Sequence, residues 1–312
     1  MLTAMPPPRV VSLLPSATEL LCAVGGEALL VGRSHECDWP PAIHDRPVLT
    51  GQVTHGTDSK AIDEEVRKSL AEGRSLYTLD AALLEELRPD VILTQDLCDV
   101  CSIDLRTVRA IAARLPTSPT IVSLDPKDIF GVLDDLLTVG AAVDRAALAE
   151  AAMVALRDRY WRANEFVNPY VTGPEVLFLE WIDPPFVGGH WTPQLIEAAG
   201  GRHSLNPAKA KSRQATPEEI VAAMPERVVV CPCGFGLDRI RTEVPGLLRQ
   251  RWWPLLPAAM SGDPDAVVLV DGNQMFNRPG PRLVDAFEWL VGWINDRPEL
   301  IPEGFPVAPL PC

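Results

Sequence analysis

Short apolar runs and helix-length amphipathic segments alternate along this chain. In the first half, residues 9–14 (RVVSLL), 29–32, 91–94 (VILT) and 120–124 (TIVSL) are apolar and of strand length. Residues 175–180 (EVLFLE), 227–231 (RVVVC) and 266–270 (AVVLV) repeat the pattern in the second. Helix signals stand between them. Pro15 ends the first run, and Ser16-Ala-Thr-Glu19 has capping-box spacing, which predicts a helix through Val24. Asp125-Pro-Lys-Asp128 supplies an N-cap, a first-turn proline and an acidic first turn for another. A helix over 193–199 is closed by Gly200-Gly201, and Thr216-Pro-Glu-Glu219 is a second capping box. Residues 281–294 place Leu283, Phe287, Leu290 and Ile294 on one helical face. Strands separated by helices imply parallel sheets with helices on their faces.

Residues 144–168 break the alternation. They read DRAALAEAAMVALRDRYWRANEFVN, with no Gly or Pro. Propensity makes this one continuous helix, roughly 30 Å long at full extent. The chain therefore divides into an α/β lobe over 8–143, a linking helix over 144–168, an α/β lobe over 169–297 and a Pro-rich tail over 298–312. The tail is expected to be irregular and laid on the surface.

With 312 residues, 47% of them hydrophobic and 22% charged, the chain is sized for two domains of ordinary globular composition. The net charge of −14 repels phosphate backbones and anionic lipid, which argues against nucleic-acid and membrane-surface partners. No run reaches the ~20 apolar residues of a membrane span. The N-terminus shows neither a basic segment nor a separate apolar one, so no signal peptide is expected. Seven cysteines, two of them in a Cys-x-x-Cys, suit a reducing compartment better than a disulfide framework. Together these readings predict a cytoplasmic protein.

The candidate chemistry lies just after the strands, where open parallel sheets bind ligands. After the first strand come Ser16 and Thr18, able to meet a ligand at a helix N-terminus or simply to cap it. The second is followed by His35, Glu36, Cys37, Asp38 and Trp39, and VILT by Asp96, Cys98 and Cys101. In the second half, Trp181, Phe186, His190 and Trp191 follow one strand, Cys233 and Phe235 the next. Asp271, Asn273, Phe276, Arg278 and Arg282 follow AVVLV.

His35, Cys37, Cys98, Cys101 and Cys233 are of the types that hold zinc or an iron–sulfur centre. They can equally pack as small apolar groups or, in Cys98 and Cys101, form a redox dithiol. Although the chain is only 6% aromatic, six aromatics fall in these loops. That placement suits a flat ligand such as a corrin or porphyrin, against the alternative that each ring pins its own loop. Trp161, Trp289 and Trp293 are expected to pack. Arg278 and Arg282 can pair with a ligand carboxylate, phosphate or amide, or with internal acids. Glu36, Asp38, Asp96 and Asp271 are the acid–base candidates of an enzyme. No nucleophile elbow, P-loop or dinucleotide turn accompanies them, so no catalytic role is expected.

The opening RVVSLLPSATELLCAVG resembles that of the class III periplasmic iron-siderophore, heme and cobalamin binding proteins. More similar still is a cytosolic cobalamin-binding protein-like branch. It carries His-Glu-Cys-Asp-x-Pro, Gln-x-Leu-Cys-x-Val-Cys, Gly-His-Trp, Pro-Cys-Gly-Phe and Arg-Pro-Gly-Pro-Arg, which stand here at His35, Gln95, Gly189, Pro232 and Arg278. The resemblance implies two Rossmann-like lobes with parallel central sheets, joined by one long backbone helix. It also implies a non-catalytic protein holding a cobalamin-like corrinoid, or a related metal tetrapyrrole or metal chelate, in the cleft between the lobes. The alternative is a protein carrying its own Cys/His-bound zinc or iron–sulfur centre in a structural or redox role. A transporter or delivery partner is left open.

Overall fold

The computed structural model describes residues 6–96 and 103–311. The first half contains β1 (Val10–Ser12), α1 (Pro15–Ala23), β2 (Leu30–Arg33), β3 (Thr50–Gln52), α2 (Ser59–Ala71) and β4 (Tyr77–Leu79). It continues with α3 (Ala81–Leu87), β5 (Val91–Gln95), α4 (Leu105–Ala112), β6 (Thr120–Leu124), α5 (Ile129–Ala142) and α6 (Ala146–Asn164). The second half has β7 (Val176–Trp181), β8 (Phe186–Val187), α7 (Thr192–Ala198), β9 (Arg213–Gln214), α8 (Pro217–Ala223) and β10 (Arg227–Val230). It closes with α9 (Leu237–Leu248), α10 (Pro257–Met260), β11 (Val267–Val270), α11 (Leu283–Ile294) and β12 (Val307–Pro309). The chain forms two compact units. One holds Met1–His55, Glu65–Pro126 and Phe130–Leu156; the other holds Gly56–Glu64, Lys127–Ile129 and Arg157–Cys312.

In the first unit four parallel strands run in the order β2-β1-β5-β6. Both faces are covered, which is why these strands read as continuous apolar runs. On one face Val10, Leu93 and Leu124 meet Leu20 and Leu21 of α1, Val139 of α5 and Ala149 of α6. On the other, Val11 and Ile92 meet Leu84 of α3 and Val108 of α4. A separate antiparallel pair, β3 with β4, sets Thr50 opposite Leu79.

The second unit has a six-stranded sheet, β12-β11-β10-β7-β8-β9. Its centre, β11-β10-β7, is parallel; β12 on one side and β8 and β9 on the other are antiparallel. Leu177, Leu179, Val228, Val230 and Leu269 form one core face with Ile220 of α8 and Val244 of α9. Behind the sheet, Tyr160 of α6 stacks on Phe287 of α11 at 4.2 Å.

Four local expectations change. The 16–19 capping box does not form, because Pro15 starts the helix and takes the N1 position that its fixed φ suits. Thr18 then lies inside α1 and bonds back to the Leu14 carbonyl at 3.3 Å. The helix after Asp125 begins only at Ile129, so Pro126 is not its first-turn residue. The tail is not irregular throughout: Val307–Pro309 pairs with β11, and Pro309 fits there because an edge strand does not need its N–H. Trp161 is 53% exposed rather than packed, whereas Trp289 is buried and stacks on Trp293 and Phe305 at 5.2 and 5.1 Å. By contrast Thr216 and Glu219 do form their capping box, with 3.2 and 2.7 Å bonds.

Candidate functional site

In the first unit the loop beyond β2 is the chemically dense one. Arg33, the last residue of β2, donates to the carbonyls of Cys37 at 2.9 Å and His44 at 3.1 Å. His44 Nε2 meets the Asp38 carbonyl at 2.7 Å. One guanidinium and one imidazole thus fix a loop that ends in a short 3₁₀ helix, Pro41–Ile43. Inside it, the Thr50 hydroxyl receives the His35 backbone N–H at 3.0 Å, lies 2.6 Å from His35 Nδ1, and donates to Ser34 Oγ at 3.0 Å. Because Thr50 directs its one proton to Ser34, Nδ1 carries the hydrogen of the His35 contact. Burial holds this imidazole below the usual histidine pKa, which keeps it neutral. Its Nε2 is buried with no hydrogen-bond partner.

Cys37 does not face outward with His35. It is fully buried among Leu14, Leu20 and Ile43, and its sulfur lies 3.1 Å from the Thr18 hydroxyl. The small apolar body of the side chain favours that placement over an exposed ligand position. Ser16 is buried too, while Glu36 is half-buried and Trp39 is 45% exposed. Cys98 and Cys101 lie outside the described residues. Among the described residues no three His, Cys, Asp or Glu side chains gather as a metal site.

In the second unit three loops follow the carboxyl ends of β7, β10 and β11 and are tied to one another. Glu180 on β7 accepts from the Ser212 hydroxyl at 2.7 Å and from Gly189 N at 3.3 Å. Desolvation by burial nevertheless outweighs these bonds and pushes its carboxyl above the usual glutamate pKa. Gly189 is required by close approach: a Cβ there would lie 2.3 Å from Ser212 N. His190 follows with φ +55, held by its N–H to Ala210 at 2.6 Å. Trp191 then buries its ring and donates Nε1 to the Phe276 carbonyl at 2.6 Å. Phe276 itself has φ +58 and packs on Phe178 at 5.0 Å.

Asp271 caps its own loop, accepting from Asn273 N and Gln274 N, both at 3.0 Å. Gln274 in turn accepts from Arg282 at 3.0 Å, and Asn273 from the buried Arg278 at 3.1 Å. Asn277 Nδ2 links the carbonyls of Cys231 and Gly272, each at 3.0 Å. Arg239 lies over the Phe235 ring at 3.8 Å, and Trp181 packs on Phe235 at 5.0 Å while donating to the Ser59 carbonyl at 3.1 Å.

Several site expectations are corrected by these contacts. Trp191, Phe235 and Phe276 are 4%, 3% and 1% exposed, so their rings hold the loops to the core instead of lining open surface. Apolar burial and the Trp191 bond fix them there. Asp271 is committed to backbone N–H groups, which leaves it a capping rather than an acid–base role. Arg278 and Arg282 donate to amide oxygens of their own loop. Phe186 and Trp181 are half-buried, and Cys233 is exposed. Ser34, Thr50, Glu180 and Ser212 were not flagged by sequence; Thr50 stands 15 residues beyond His35, and only the fold joins them. A groove of about 570 Å³ along Asn164, Tyr170, Gly173 and Arg202 lies at the amino end of β7, away from these loops.

No family model and no curated protein matches the chain. Solved structures do. The periplasmic vitamin B12 binding protein of Vibrio cholerae has a TM-score of 0.67 at 17% identity, over 94% of this chain and 99% of that one. A periplasmic heme binding protein from Pseudomonas aeruginosa has 0.72 at 20%, over 98% and 99%. An ABC transporter substrate-binding protein from Listeria monocytogenes EGD-e has 0.67 at 16%, over 93% and 100%. The fold is therefore that of the class III periplasmic binding proteins. The cytoplasmic expectation is corrected at the same point: the B12- and heme-binding neighbours are periplasmic proteins, and cysteine usage does not outweigh that.

Proposed function

We propose that the chain is a non-catalytic binding protein for a corrinoid or a related metal tetrapyrrole, held at the loops beyond the strand carboxyl ends. The observation that supports this most is the extent of the likeness. Neighbours described as binding vitamin B12 or heme match it over nearly the whole of both chains. The braced loops add to it. They carry half-buried Phe186, Trp181 and His190 on frames fixed by buried bonds. Rigid loops of this kind spare a ligand the entropy of ordering them. A zinc or iron–sulfur protein finds less support, since Cys37 is committed to the core.

The test is titration of the purified full-length chain with cobalamin, cobinamide and hemin, followed by absorbance and calorimetry. Saturable one-to-one binding of at least one of them is the expected result. Absence of any spectral shift and of any heat with all three overturns the reading.

A further inference from the structure

We infer that Cys22 and Cys37 are a disulfide site: two thiols set beside each other between α1 and the loop beyond β2, which a low-molecular-weight disulfide converts to one S–S bond. The inference concerns these side chains alone and does not depend on the ligand.

Cys37 Sγ lies 3.1 Å from the Thr18 hydroxyl, and that hydroxyl donates its own proton to the Leu14 carbonyl at 3.3 Å. The thiol is therefore the donor of the contact, and a weak one, so little is lost when its hydrogen goes. Cys22 stands four positions after Thr18 on the same helix. Residues so spaced share a face, with Cβ atoms about 5–6 Å apart. A helical side chain also leans back over the turn before it, which directs Cys22 toward Thr18 and the sulfur seated there. Two further observations agree. Cys22 packs against the core cluster that contains Cys37. Its thiol is pushed up to about 12 by burial, then by the Glu27 and Glu19 carboxylates and by Cys37 itself. Cys231 and Cys233 provide the contrast: Cys231 Sγ turns inward, 3.7 Å from Asn277 Nδ2 and 3.8 Å from the Met275 carbonyl, while Cys233 is exposed.

The structural neighbours are periplasmic proteins, and the periplasm preserves disulfides that a reducing cytosol removes. The exchange balances with oxidised glutathione or a similar small disulfide. One protein thiolate attacks it, forms a mixed disulfide and releases one small thiol. The second thiolate then displaces the other small thiol. Two protein S–H bonds are replaced by one S–S bond, and both protons leave on the two small thiols. A covered thiol is a poor nucleophile, so the first attack falls to local openings and the folded chain reacts slowly. Once made, the bond closes the segment 22–37 and restricts the unfolded chain. It also ties the loop that carries His35 and Trp39 to α1.

The experiment uses the folded full-length chain. It is held with excess oxidised glutathione at about pH 9, where thiolates are more abundant. The reaction is quenched with acid, and the chain is unfolded, its remaining thiols are blocked with N-ethylmaleimide, and it is digested with trypsin without reduction. Cleavage after Arg33 separates the two cysteines, so a bond between them appears in mass spectra as a linked peptide pair. Most chains are expected to yield that pair, lighter by two hydrogens than its separate peptides and abolished by reduction. The oxidised chain is expected to unfold at a higher temperature than the reduced one, and Cys22→Ser to lose this difference. Recovery of Cys22 and Cys37 as unlinked peptides, blocked or glutathionylated, overturns the proposal, as does linkage of either to another cysteine. The peptide map needs no variant, so misfolding of Cys22→Ser does not leave the question open.

Discussion

The Trp191 indole N–H and the Phe276 carbonyl meet at 2.6 Å across a separation of 85 residues. This one bond joins the loop beyond β7 to the loop beyond β11. Both partners are buried, so Trp191→Phe keeps the apolar ring and strands the carbonyl. A loss of about 1–3 kcal/mol follows from leaving a buried acceptor unpaired. Denaturant unfolding of the variant measures it; an unchanged midpoint shows that the bond contributes nothing.

Gly272 is the tightest glycine of the candidate loops, since a Cβ there would lie 2.1 Å from the Pro232 carbonyl oxygen. Neither backbone can move without dislodging Cys231 and Asn277. Gly272→Ala is expected to destabilise the second unit by more than about 3 kcal/mol, among the large effects seen for single substitutions. Thermal unfolding followed by circular dichroism reads the result, and a shift within experimental error contradicts the packing described.

His190 offers a cleaner probe of ligand contact. Its φ of +55 is one that glycine adopts freely. His190→Gly therefore removes the ring with stability held within about 1 kcal/mol. Tetrapyrrole affinity is expected to fall while the unfolding midpoint stays. Loss of both together shows instead that the ring is structural.

Glu180 sets a pH dependence. Its folded pKa is raised, chiefly by burial, so in the window above the unfolded value the folded state holds more protons than the unfolded state. Stability from this group is full below the unfolded pKa and is lost as pH rises through the folded one. Glu180→Gln stays neutral, and its carbonyl can still accept from Ser212 and Gly189. The variant is expected to gain on the wild type as pH climbs from about 4 to neutrality. Parallel stability–pH curves for the two proteins contradict the raised pKa.

Arg159 on α6 joins α11 through Glu288 and Asp285, at 3.0 Å from Nε and 2.5 Å from Nη2. The cluster is part exposed, which limits its worth. Arg159→Ala is expected to cost about 1 kcal/mol, less at high salt. Unfolding at two ionic strengths checks both the size and the screening.

Much of the architecture could be read from the chain because parallel strands are buried on both faces and announce themselves as apolar runs. VILT and TIVSL were placed within a residue of β5 and β6. Elements whose pairing is decided at a distance were not. The β3–β4 pair reads as polar loop, since only one short register of three residue pairs defines it. The segment Gly56–Glu64 joins the second unit through contacts such as Ile62 with that unit's core, which local pattern does not encode. At the site, sequence identified His35, Gly189 and Asp271 as unusual residues in unusual places. It misjudged the buried aromatics, because a ring in a loop looks the same whether it faces ligand or core. Thr50, which fixes the histidine, sits on the otherwise plain strand β3.

The edge strand Val307–Pro309 also bears on how the protein comes into being. Synthesis is vectorial and domains generally fold as they emerge. The first unit can close its four-stranded sheet while the rest of the chain is still being made, but β11 must wait for residues 307–309 before its free edge is covered. During that interval Val267–Val270 is an apolar strand with one side open, the sort of template on which another chain can pair. Exposure to misassembly is therefore concentrated in the interval between synthesis of residue 270 and of residue 307, and removing residues 307–309 would make that interval permanent.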